Sequence, residues 1–268
     1  MHEWKKHTKK FHGIDLNGHP VSEFKISAMP KVEHTDFYSQ ILKMRIKVEI
    51  TGHYGFPVIM FPTAGGDYNQ NSECLLNNSI SNFTNKGILK LYNLETIDNK
   101  SFFAEYLSPL EKIYNYELYV QFLLQEYFHY IRQIHKTHRI ALAGVGFGGY
   151  HAANFALRFP DLVSHLFCLS GHFSIRDFME DYDDDLVYFN CPNEFIRNDA
   201  AWRFRHMEIV LSTSDQDICL NQTREMVGIL DEKGIACRYD EAKWMEHGWP
   251  LWRMVFPKFI ASAFGQLD

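Results

Sequence analysis

The stretch "IALAGVGFGGYHAANF", residues 140–155, limits what this chain can fold into more than any other. "RIALAG" (139–144) has the length and apolar character of a buried strand. It runs into a turn carrying Gly144, Gly146 and Gly149, and residues 147–159 then read as a helix closed by Pro160. A strand that turns through glycines straight into a helix is the building unit of a mostly parallel sheet with helices on both faces.

The rest of the chain keeps that rhythm. Residues 42–50 ("LKMRIKVEI") alternate polar and apolar, as a half-exposed antiparallel strand does. "PVIMFP" (57–62) and "ILKLYNL" (88–94) read as strands near the sheet centre. Helices are expected over 116–136 and 220–233 and after Pro250, and strands over 165–169, 207–212 and 236–239. With 268 residues and no repeat, low-complexity segment or linker, this is one domain. Residues 1–40 read as an N-terminal arm and first strand. Residues 174–205 read as a small cap-like insert over the sheet's carboxyl edge. Its acidic run "EDYDDD" (180–185) lacks the spaced ligands and glycine of a calcium loop and is expected to be solvated.

Composition removes several function classes. There are 27 basic residues against 33 acidic ones, so no basic excess exists to neutralise phosphates and no nucleic-acid partner is expected. No apolar run approaches a membrane span, and the start "MHEWKKHTKKFHG" lacks the apolar core of a signal peptide. Five cysteines, odd in number and without a C-x-x-C pair, fit reduced thiols in a cytoplasmic protein. The 22 phenylalanines are expected mainly in the core, and the aromatic surplus is compatible with a homodimer. His135 and His138, near a helix end without a third ligand, read as solvated residues and not a metal pair.

Two chemical templates fit the glycine turn. One is G-x-G-x-x-G at Gly144, Gly146 and Gly149, which cradles a dinucleotide; the other is G-x-S-x-G, the elbow that presents a nucleophilic serine, with Gly146 in the serine's place. The dinucleotide loop needs an acidic residue about 20 positions on to hold a ribose. The next strand ends instead at "CLSGHF" (168–173), with Ser170 and Gly171 there. No cofactor is therefore expected, and Ser170 itself reads as a turn residue at a strand end.

The elbow template predicts an acid and then a histidine downstream. "STSDQDICL" offers Asp215 and Asp217 at a strand's carboxyl end, and "WMEHGWPLW" places His247 just before the last helix. Gathering of the strand ends would bring Asp217, His247 and position 146 to one edge, although either aspartate could simply cap the following helix. Upstream, "FPTAGG" (61–66) follows an earlier strand, where backbone N–H groups near Ala64 and at Phe147 could face a substrate carbonyl oxygen. Tyr150 and His151 lie further along the helix, whose rise carries them away from the strand end.

From about residue 42 to the C-terminus the chain resembles the esterase branch of the α/β-hydrolases, the group containing esterase D-like S-formylglutathione hydrolases. The resemblance rests on "FPTAGGD", "AGVGFGGYHAANFALRFPDL", "YDDDLVYFNCP", "SDQDICLNQTREMVGILDEKGI" and "EHGWPLW". It implies an α/β-hydrolase fold, His247 as triad base, Asp217 in preference to Asp215 as triad acid, and an oxyanion hole at Ala64 and Phe147. It also places the family's nucleophile on Gly146. Ala64 stands where the loop often has serine, and Gly248 where an aspartate usually follows the histidine.

A residue in the left-handed turn of an elbow carries about 1–2 kcal/mol of strain that glycine does not. Gly146 relieves that strain and removes the atom that would form an acyl-enzyme. Loss of the nucleophile costs on the order of 10⁶ in kcat in comparable enzymes. The expected function is a pseudoenzyme or ligand-binding protein for a small acyl-ester-like ligand, with no metal and little serine-hydrolase turnover. The alternative is an active carboxylesterase or thioesterase on small acyl esters, either through a water activated by His247 or with Gly146 as a replacement in an active parent.

Overall fold

The computed structural model describes residues 31–265, so the arm over residues 1–30 lies outside the described residues. Strands β1 (Val32–Ser39), β2 (Met44–Thr51), β3 (Phe56–Phe61), β4 (Leu89–Leu94), β5 (Ile140–Val145), β6 (Val163–Leu169), β7 (Glu208–Gln216) and β8 (Arg238–Glu246) form one sheet in the order β1-β2-β4-β3-β5-β6-β7-β8. The first three neighbours pair antiparallel and all later pairs are parallel.

Central strands β3 and β5 are buried along almost their whole length, as their unbroken apolar runs require. Strand β8 extends well past the four residues expected of it. It is an edge strand of mainly polar, half-exposed residues, so hydrophobic periodicity marks only a fraction of it.

Helices α1 (Gln70–Glu73), α2 (Leu76–Ser79) and α3 (Ser81–Asn85) are short turns in the β3–β4 connection. The helix expected over 116–136 begins earlier, as α4 (Pro109–Phe122). Ser108 accepts from the Glu111 N–H and Glu111 returns a bond to the Ser108 N–H at 2.9 Å, a capping box with Pro109 in the first turn. A π-helical turn at Leu123–Tyr127 separates it from α5 (Phe128–His135). That turn keeps Leu123 and Tyr127 in the core while Glu126 accepts from the N–H groups of Gln40 and Ile41 after β1.

Helix α6 (Phe147–Arg158) follows β5 through Gly146 alone. It packs close to the exit of β3: a β-carbon on Gly148 would fall 2.2 Å from the Pro62 carbonyl oxygen, so only glycine lets the helix start there. Helices α7 (Asp185–Phe189) and α8 (Pro192–Phe195) lie within residues 174–205; α7 packs on α4, and α8 on α6 and α9 (Leu220–Glu232). The acidic run is structural in part and not merely solvated. Asp184 caps α7 by accepting from the Val187 N–H, and Asp183 pairs with Arg176 at 2.6 Å. Helix α10 (Trp249–Phe264) closes the chain.

Two apolar layers flank the sheet. One is built with α4, α5, α6 and α9; the other lies under α10, α2 and α3. Phe61, Phe102, Phe122, Phe128, Phe155 and Phe167 are all fully buried, where the phenylalanines were expected. His135 differs from expectation: its Nε2 lies 2.7 Å from the Tyr92 hydroxyl, so it is partly buried and bonded. Among the described residues no helix is long and apolar enough to cross a membrane.

Candidate functional site

The carboxyl ends of β5, β6, β7 and β8 and the loop after β3 converge on Gly146. Its φ is +57° and ψ −125°, a conformation that a β-carbon makes costly. The turn is pinned by Gly146 N–H donating to the Leu169 carbonyl and Gly149 N–H donating to the Gly146 carbonyl, both at 2.9 Å. Space exists for a side chain. A β-carbon there would meet His247 Nε2 at 3.4 Å and Thr63 Cβ at 3.8 Å, both ordinary contacts.

His247 leaves the end of β8 just before α10, with its side chain 24% exposed and therefore reachable from solvent. Its Nδ1 lies 2.8 Å from Asp217 Oδ1, and its ring stands edge-on to Trp252 at 5.0 Å. An acceptor on Nδ1 fixes the proton there, leaving Nε2 with its lone pair toward position 146. Nε2 has no hydrogen-bond partner among the described residues.

Asp217 is fully buried at its side chain. Burial raises its pKa, but hydrogen bonds from His247, from Ser170 Oγ at 2.5 Å and from the Cys219 N–H at 2.8 Å outweigh it and hold the carboxyl below its ordinary range. Asp215 faces away: it accepts from the Trp244 N–H at 2.8 Å and sits 4.0 Å from Lys243. Geometry thus settles which aspartate meets His247.

Ser170 is more than a turn residue. Held at φ +53°, it donates to Asp217 and accepts from Trp252 Nε1 at 2.9 Å, so the indole, the hydroxyl and the carboxylate form one buried relay. Sequence reasoning names Asp217 but not Trp252. "GWPLW" places Trp252 one turn beyond the start of α10, facing back toward His247, and this was the available signal.

Across the cleft, the loop after β3 is clamped on both sides of Ala64. Thr63 donates through its N–H and hydroxyl to Gln70 Oε1, each at 2.9 Å, and the Gly65 N–H donates to Asp98 Oδ2 at 3.1 Å. The exposed Ala64 and the buried Phe147 keep backbone N–H groups without partners among the described residues. Two free donors beside an elbow are what an oxyanion requires.

Asp217, Cys219 and His247 offer ligand atoms within 4.8 Å of one another, the one such group of three among the described residues. Its chemistry does not suit a metal. Both Asp217 oxygens are already engaged, and burial with the neighbouring carboxylate pushes the Cys219 thiol up to about 12, far from the thiolate a metal needs. Tyr150 and His151 point into the core and bring no hydroxyl or imidazole to the elbow. A surface cavity of about 510 Å³ lined by Tyr54, Lys90, Tyr92 and His135 opens at the amino ends of β3 and β4, on the opposite edge.

No protein-family model matches the chain, and no curated protein matches it either. Its likeness is to solved structures. A ferulic acid esterase superposes with a TM-score of 0.72 at 14% identity, over 88% of this chain and 99% of that one. An S-formylglutathione hydrolase from Staphylococcus aureus gives 0.68 at 13% identity, over 89% and 100%. One from Agrobacterium tumefaciens gives 0.68 at 13%, over 87% and 95%. At these identities the likeness is one of fold, and the fold is that of the esterase α/β-hydrolases.

Proposed function

We propose that this chain is a pseudoenzyme of the esterase fold that binds a small acyl-ester-like ligand without serine-hydrolase turnover. In this reading His247 and Asp217 are the base and acid of a triad, Gly146 is its empty nucleophile position, and the N–H groups of Ala64 and Phe147 receive the ligand's carbonyl oxygen. One observation carries the reading: His247 Nε2, oriented by Asp217, stands 3.4 Å from where a side chain at position 146 would begin, and no hydroxyl is there. A cytoplasmic setting is part of the same reading, supported by an odd number of cysteines without a C-x-x-C pair.

The free Nε2 also favours a second reading, slow hydrolysis of small acyl esters through a water bound to His247. Turnover of p-nitrophenyl acetate separates the two. The pseudoenzyme reading expects no rate beyond the roughly 10³–10⁴-fold over water that donors and binding alone sustain, and a large gain in Gly146→Ser. Ester hydrolysis by the unmodified chain at ordinary esterase rates, lost in His247→Ala, would establish the water route instead.

A further inference from the structure

We propose that the buried Asp98–His151 pair is a tie bar that sets the separation between the two free N–H donors, making both side chains positioning residues. The inference rests on the reading of Ala64 and Phe147 as carbonyl-oxygen donors.

The two donors belong to different elements, one to the loop after β3 and the other to the first turn of α6. The β3–β5 ladder reaches Phe61 and Gly144 and α6 packs on the Pro62 carbonyl, but Ala64 lies beyond that ladder, in a loop whose final placement needs side-chain ties. His151 lies one turn after Phe147 on α6, a rise of about 6 Å. Its Nε2 stands 2.8 Å from Asp98 Oδ1, and the other oxygen of the same carboxylate accepts from the Gly65 N–H at 3.1 Å, next to Ala64. One carboxylate therefore spans the cleft floor, with the helix of one donor on its first oxygen and the loop of the other on its second.

The polarity of the chain is self-consistent. A carboxylate only accepts, so His151 Nε2 carries the proton, and Nδ1 accepts from the Tyr116 hydroxyl at 3.2 Å. That hydroxyl accepts in turn from Asn154 Nδ2 at 3.4 Å. His151 and Asp98 are 0% and 1% exposed at their side chains, and aromatic rings pack around the imidazole: Phe61 at 5.8 Å, Tyr116 at 5.5 Å and Phe147 at 5.1 Å. In such surroundings a charged hydrogen bond is strong and rigid, because no water competes for it. A pair built only to fill the core could be apolar; this one sends its second oxygen to a backbone amide in the candidate site.

The test uses the full chain carrying Gly146→Ser, with p-nitrophenyl acetate as probe. Asp98→Ala and His151→Ala should each lower kcat by roughly 10- to 100-fold, the scale of a misplaced oxyanion donor, with KM changed less than about threefold. Combining them should cost no more than either alone, and His151→Gln, which still offers a donor to Asp98, should retain most of the rate. Independent losses that multiply, or full kcat in either alanine variant, would overturn the tie bar. A second measurement needs no turnover: in the unmodified chain, Asp98→Asn should move the Gly65 amide proton resonance upfield and hasten its exchange. If Gly146→Ser gains no activity, the proposed function fails, while the Gly65 amide still decides the tie bar; an unchanged resonance would overturn it.

Discussion

The Nε2 atom of His247 lies 3.4 Å from the point at which a side chain on Gly146 would begin, with Asp217 2.8 Å from the other ring nitrogen. In the proposed reading these are a base and its orienting acid, set against a glycine that offers them nothing to deprotonate.

Restoring the hydroxyl should have a mechanical cost. At φ +57° and ψ −125° a β-carbon crowds its own backbone by about 1–2 kcal/mol, and no neighbour approaches closely enough to offset it. Gly146→Ser should melt lower by about 2–4 °C per kcal/mol lost, read by calorimetry. An equal or higher melting temperature would show that the turn is not strained.

The two aspartates after β7 should behave oppositely. In the Gly146→Ser background, Asp217→Asn should lower ester turnover by about 10⁴-fold, because His247 loses the partner that fixes its tautomer. Asp215→Asn should leave turnover nearly unchanged, since that carboxylate serves the Trp244 N–H and Lys243. Equal losses in kcat would contradict the assignment.

Asp217 also links the site to acid stability. Burial opposes its charge, but the bonds from His247, Ser170 and Cys219 prevail and depress its folded-state pKa below the unfolded one. A depressed carboxylate contributes stability that is complete above the unfolded pKa and is lost as pH falls through the folded one. Denaturant unfolding followed below pH 5 should therefore show a shallower acid decline in Asp217→Asn than in the parent chain; identical slopes would remove Asp217 from the balance.

Ser170→Ala should destabilise the fold by roughly 1–3 kcal/mol in urea unfolding. It leaves the buried Trp252 N–H and one Asp217 oxygen without partners and opens little space. A change within about 0.5 kcal/mol, the range of an ordinary surface substitution, would mean that the relay carries no weight.

What could be read from the sequence follows from how local each signal is. The elbow, the strand ends carrying Asp217 and His247, and the loop around Ala64 each announce themselves within a few residues. The relay does not: Ser170 meets Asp217 across 47 positions and Trp252 across 82, and a serine at a strand end looks the same whether or not an indole reaches it. The rise of α6 carries His151 away from the elbow and out of direct chemistry, and the same rise brings its ring to Asp98, 53 positions earlier in the chain. Likewise α4 starts at the Ser108 capping box, ahead of the apolar spacing that first marks it.

In the proposed reading no atom at the elbow can bond to an acyl or phosphonyl group. Intact-mass measurement after exposure to a reactive fluorophosphonate tests it most directly. The unmodified chain should keep its mass, and Gly146→Ser should gain a single phosphonyl adduct on the introduced hydroxyl. A stoichiometric adduct on the unmodified chain, mapped to the turn at residues 144–149, would contradict it.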